Sequence, residues 1–191
     1  MALPSLALRL AEFESQIDTL LAWHQRLPPN AKWRQALNEL RFVRATLSWE
    51  EFLEQAFLCY LRGSRTTVGR AVALKVPSAQ SMSAAEKIAL GNAPYGKWMN
   101  ESWLLSAATR CFSSQQHPFL SVAAPVFKEI RLVRNRIVHR SEFARTEFQG
   151  VVRSLYGSQL PGLTPGRLLS DTAGPSTRID SYLRTLKAAA S

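Results

Sequence analysis

The sequence predicts an all-α protein, and three observations carry that reading. Apolar residues recur every three or four positions over most of the chain. Strand signals are few and isolated. The Gly- and Pro-rich breaks fall between helical stretches rather than at the even spacing of β-hairpins. The 191 residues suit a single domain, and 46% hydrophobic residues suffice for a packed core.

The first helix is expected over 5–24, with Leu6, Leu10, Phe13, Ile17, Leu20 and Leu21 on one face and Leu27-Pro28-Pro29 as its stop. A second covers 31–45, with Trp33, Leu37, Leu40 and Val43 as its apolar face. Ser48 opens a third through a capping box, Ser48-Trp49-Glu50-Glu51, with Leu47 and Phe52 as a hydrophobic staple. Gly63 ends it.

Over 62–98 the periodicity breaks at Gly63, Gly69, Pro77, Gly91, Pro94 and Gly96. This stretch reads as an insertion between core helices, part loop and part short helix. Arg62, Arg65, Arg70 and Lys75 make its front half basic. Ser83-Ala84-Ala85-Glu86 opens a short helix that Gly91-Asn92 closes, and a strand over 68–76 is weakly signalled. Helices follow over 100–112, with His117-Pro118 as a break, then over 122–140 with Pro125 in the first turn, and over 148–156 up to Gly157. The stretch 157–175 reads as loop, and 178–190 as a final amphipathic helix. The core thus spans about 31–156, and 157–191 adds a loop and a tail helix.

A formal net charge of +10 creates a field that attracts polyanions. Nucleic acid, an anionic membrane surface or an acidic protein are the partner classes it admits. Cys59 and Cys111 lie in apolar stretches and read as buried small hydrophobes. His24, His117 and His139 have no Cys or His at ligand spacing, so no metal site is expected. The segment Met1-Ala2-Leu3-Pro4-Ser5 is not expected to open a signal peptide, and no run of about 18 apolar residues spans a membrane. A bacterial-type cytoplasmic protein is the expectation.

Chemistry concentrates in the helix of 122–140. Val126, Ile130, Val133 and Ile137 form its core stripe. Arg131, Asn135 and His139 lie at i, i+4 and i+8 and line one polar ridge. Arg134 and His139 are separated by about 140° on an ideal helix and flank that ridge. Histidine exchanges a proton near neutral pH, and arginine holds a phosphate through paired N–H bonds. A base near a ribose 2′-OH and a cation on the phosphate suffice for transesterification, without a metal or cofactor. The plainer alternative is that His139 is a solvated cation favouring the helix C-terminus.

The stretch Arg134-Asn135-Arg136-Ile137-Val138-His139 resembles the Arg-x(4–6)-His signature of the HEPN superfamily in its Arg-Asn-x-x-x-His form. The upstream helix around Leu47-Ser48-Trp49-Glu50-Glu51-Phe52-Leu53-Glu54 is similar to the long helix preceding the motif in bacterial members. The subgroup is that of short HEPN proteins of phage-defence and toxin-like genes. The resemblance covers about 31–156. It implies a four- or five-helix bundle and a homodimer in which the motif helices face each other. It also implies metal-independent endoribonuclease activity, leaving a 2′,3′-cyclic phosphate and a 5′-OH. Arg134 would then bind the phosphate, His139 would act as general base or acid, and Asn135 would support them. Arg131, Arg136 and Arg140 would extend the RNA-binding surface, and an antitoxin or regulatory partner would hold the enzyme in check. Glu50, Glu51 and Glu54 read as capping and surface residues. The competing functional reading is a non-catalytic module that binds RNA, a nucleotide or a partner enzyme through the same face. A third, a membrane-surface role for the tail helix, is opposed by its small apolar area.

Overall fold

The fold is taken from a computed structural model, which describes residues 5–23, 30–113 and 117–190. His24 and the Leu27-Pro28-Pro29 stop lie outside the described residues. The described chain is helical almost throughout: α1 Leu6–Ala22, α2 Ala31–Leu61, α3 Met82–Leu90, α4 Glu101–Cys111, α5 Pro125–Val138, α6 Glu142–Tyr156, α7 Pro165–Ser170 and α8 Arg178–Ala190. A two-residue antiparallel hairpin, β1 Thr172–Ala173 with β2 Ser176–Thr177, precedes α8. No described helix is long and apolar enough to cross a membrane.

The two helices expected over 31–45 and from Ser48 are one 31-residue helix, α2. No Gly or Pro interrupts this stretch. Ser48 is an interior residue, so its capping box and the Leu47–Phe52 staple do not form, and Leu47 is exposed. The Thr46 hydroxyl turns back to the Val43 carbonyl at 2.9 Å, which lets a β-branched polar residue sit mid-helix.

The chain divides into two compact units: residues 1–15, 48–124 and 189–191 form one, and 16–47 with 125–188 form the other. In the first unit, Phe13, Trp49 and Phe52 pack ring on ring. Phe57 lies against Trp98, Phe112 and Phe119 with centroids 5.4, 5.0 and 5.2 Å away. Cys59 and Cys111 are buried free thiols within this apolar packing, as expected. The strand expected over 68–76 shrinks to one bridge, Leu74 to Phe112, flanked by Lys75 N–H to the Cys111 carbonyl and Ser113 N–H to the Ala73 carbonyl. The cap of α3 is Ser81 rather than Ser83, its hydroxyl accepting from Ala84 N–H at 3.1 Å. Gly91 closes that helix at φ +57°, and a Cβ there would meet the Arg110 guanidinium at 3.3 Å. Glu51 is exposed, whereas Glu54 is half-buried. Burial, and then Glu86, push the Glu54 carboxyl above its ordinary range.

His117 is buried in the same unit between Phe112 and Phe119. Among the described residues, its buried Nδ1 has no hydrogen-bond partner. Burial depresses its pKa, and the charge of Lys75 acts the same way. A depressed pKa means that the stability from neutral His117 is present above the unfolded value of 6.5 and lost as pH falls below it. The denaturant midpoint is therefore expected to fall between pH 7 and pH 5, and to fall less in His117→Leu. Parallel pH profiles of the two proteins would contradict this.

The second unit is organised around a charge. Arg41 of α2 is fully buried. Its Nε and Nη2 donate to the Leu20 carbonyl at 3.0 and 2.7 Å, and its Nη1 donates to Asn38 Oδ1 at 2.9 Å. Nη2 also meets Asp180 Oδ1 of α8 at 3.1 Å, while the Thr177 hydroxyl donates to the other carboxylate oxygen at 2.7 Å. Burial pulls the guanidinium below its ordinary pKa, and Asp180 opposes that pull. This network moves the buried face of α2. Asn38, Arg41, Phe42 and Ala45 point inward, while Trp33 and Leu40, expected on the apolar face, are exposed.

Residues 157–175 are more ordered than their composition suggests. The short helix α7 starts at Pro165 on a Thr164 cap and buries Leu168 and Leu169. Gly166 lets it approach α2: its N–H donates to Glu39 Oε1 at 2.7 Å, and a Cβ would lie 2.8 Å from the Gln35 carbonyl. The tail helix α8 forms as expected and buries Ile179, Tyr182, Leu183 and Leu186. Its apolar face is thus spent inside the unit, which removes the surface that membrane binding would need.

Candidate functional site

The motif residues lie at the end of α5 and in the turn to α6. Val122 belongs to a 3-10 turn, Leu120–Ala123, and α5 itself begins at Pro125. Pro125 forces this break, because Ala124 before it is extended, at φ −63° and ψ 138°. The missing proline N–H costs nothing in the first turn. Phe127, Ile130, Leu132 and Val133 are buried, while Val126 and Ile137 of the expected stripe are half-buried. Glu129 accepts from the Tyr182 hydroxyl of α8 and lies 4.0 Å from the Arg178 guanidinium. The helix is thereby held from its core side.

The helix expected to reach residue 140 stops at Val138, so His139 and Arg140 lie just beyond it. His139 N–H closes the last turn on the Asn135 carbonyl at 2.8 Å. Ser141 then caps α6, its hydroxyl accepting from Ala144 N–H at 3.2 Å. That cap starts α6 at Glu142, six residues before the helix expected from 148, and it explains why α5 cannot continue. Gly157 ends α6 in the left-handed region at φ +72°, as expected.

Arg131, Arg134, Asn135 and Arg136 are half-buried, and His139 and Arg140 are exposed. Arg134 Nη1 lies 3.5 Å from Asn135 Oδ1, at the outer limit of a hydrogen bond. Arg136 Nη1 donates to the His139 carbonyl at 3.3 Å. Asn135 thus sits with Arg134, and Arg136 with the backbone of His139. Arg134 lies within α5, and His139 lies just past its end.

The electrostatics of that end are favourable to this arrangement. Arg136, His139 and Arg140 gather at the C-terminus of α5, where the helix carries a partial negative charge. An exposed imidazole keeps access to solvent protons and to a substrate hydroxyl. Guanidinium groups can bind phosphate oxygens through paired N–H bonds. Among the described residues, no group of three His, Cys, Asp or Glu side chains could hold a metal ion.

Two polar side chains beside the motif, Arg145 and Gln149, escape sequence inspection. They are four apart on α6, and the signal for them is the Ser141 cap, which sets the phase of that helix. In comparisons with protein-family models, curated proteins and solved structures, the chain finds no match.

Proposed function

We propose that this chain is a metal-independent endoribonuclease of the HEPN type, working as a homodimer whose α5 ends form a composite cleft. The observation that carries the reading is the Arg134-Asn135-x-x-x-His139 motif at a basic helix terminus with its imidazole exposed. Arg134 sits within α5 and His139 beyond its end, and a second copy facing this helix end would complete the site.

In the reaction, His139 takes the proton of a ribose 2′-OH, and the 2′ oxygen attacks the adjacent phosphorus. The bond from phosphorus to the 5′ oxygen breaks, and that oxygen receives a proton from an acid. The products are a 2′,3′-cyclic phosphate and a 5′-OH. Arg134 holds a non-bridging oxygen and stabilises the charge that grows there. Asn135 orients Arg134. Arg131, Arg136 and Arg140 extend the cationic surface along the strand. The biological setting that fits is a toxin or anti-phage effector restrained by a partner protein.

The test incubates the purified protein with tRNA and total RNA in EDTA, beside His139→Ala. Cleavage by the wild type alone, with cyclic phosphate ends, supports the reading. Equal background from both proteins overturns it. Binding without cleavage assigns the same face to a non-catalytic RNA-binding module.

A further inference from the structure

We propose that Arg136, Arg145 and Gln149 form a second anion subsite, which holds a phosphodiester of the RNA strand next to the one being cut. The inference rests on the ribonuclease reading and names where the strand runs beyond the scissile bond.

The three side chains line one cavity of about 320 Å³ within the second unit. Phe148, fully buried, also lines it, as do residues 162–165. Arg136 and Arg145 bring two positive charges to the lining of one cavity, which favours an anion there. Arg136 is fixed at the cavity by its hydrogen bond to the His139 carbonyl, so the cavity adjoins the proposed catalytic end of α5. Arg145 pairs with Glu142 at 3.4 Å, and both side chains are mostly exposed. Such a pair contributes little and yields readily to a better acceptor.

The chemistry selects phosphate. A guanidinium donates two parallel N–H bonds to two oxygens of one phosphate, and the Gln149 amide adds a neutral donor. A diester carries one negative charge, which two arginines bind without protonation of the ligand. RNA is the source the position favours, since the cavity is next to the histidine that would act on the ribose.

The experiment measures fluorescence anisotropy of a labelled single-stranded RNA, with every protein in the His139→Ala background so that nothing is cut. Arg145→Gln is expected to flatten the dependence of log Kd on log salt by about 0.7, which corresponds to about five-fold weaker binding at 0.1 M salt. Glu142→Gln is expected to move affinity the opposite way, because it frees Arg145. Arg153→Gln, an exposed change of equal charge on the same helix, is expected to leave the slope alone. RNA binding with an unaltered slope in Arg145→Gln overturns the subsite alone. An equal loss in Arg153→Gln reduces the effect to net charge and overturns it too. Displacement of the RNA by polyglutamate at matched charge assigns the cavity to acidic peptide and overturns the inference. Failure of every protein to bind RNA overturns the ribonuclease reading with it.

Discussion

Asp180→Ala is expected to destabilise the protein by about 3–5 kcal/mol, the range seen when one partner of a buried ion pair is removed. For a chain of this length that is a fall in Tm of roughly 6–20 °C. The cause is the position of Arg41, whose side chain is wholly inaccessible. Without Asp180 it keeps its bonds to the Leu20 carbonyl and Asn38, which supply no opposite charge and leave the Nη2 bond to the carboxylate unmade. The Thr177 hydroxyl loses its carboxylate acceptor in the same step. Chemical denaturation followed by far-UV circular dichroism measures the change. The paired replacement Arg41→Met with Asp180→Leu is expected to recover much of the loss, because it removes the uncompensated charge as well as its partner. A midpoint for Asp180→Ala within about 0.5 kcal/mol of the wild type would show that the pair is not a keystone of the unit.

That network also marks where the sequence ceases to be readable. The helices α1, α4 and α8 follow from apolar periodicity alone, because their buried faces are apolar. In α2 the inward face contains Asn38 and Arg41, so apolar periodicity alone assigns Trp33 and Leu40 to the wrong side of the helix. No local rule identifies an arginine that will be paid for by a carboxylate 139 positions away. The same blindness produced a false helix start at Ser48, since a capping box has the same letters inside a helix as at its end. The helix α7 was missed because six residues hold too little periodicity to register, although Leu168 and Leu169 are buried completely. The motif residues are the most legible part of the candidate site, since Arg134, Asn135 and His139 lie within one six-residue stretch. Arg145 and Gln149 are not, because they reach the same region only after the chain turns at Ser141.

The second large effect concerns the proposed cleft. Arg134→Ala and His139→Ala are each expected to lower the RNA cleavage rate by about 10²- to 10⁴-fold. Mixing the two inactive proteins and allowing subunits to exchange is expected to restore part of it. Half of the re-paired molecules would be heterodimers, each with one intact Arg134 from one subunit facing one intact His139 from the other. With two sites in a two-fold dimer, the mixture should recover about a quarter of the wild-type rate. If one subunit supplied both groups to a site, no heterodimer would have an intact pair and mixing would restore nothing. The readout is cleavage of a fluorogenic RNA before and after exchange, with sedimentation confirming that the subunits have re-paired.

The pairing of Arg41 with Asp180 finally bears on how the chain can fold while it is being made. A ribosome adds about 5–20 residues per second, so the 139 residues between them correspond to a wait of roughly 7–28 s. Throughout that interval the first half of α2 carries a bare cation on the face it must bury, and water keeps that face open. The motif helix is delayed as well, because Glu129 of α5 awaits Tyr182 and Arg178. A nascent chain would therefore hold its arginine-rich terminus loosely until α8 has left the exit tunnel. For the proposed ribonuclease, that delay would separate the place of synthesis from the onset of activity.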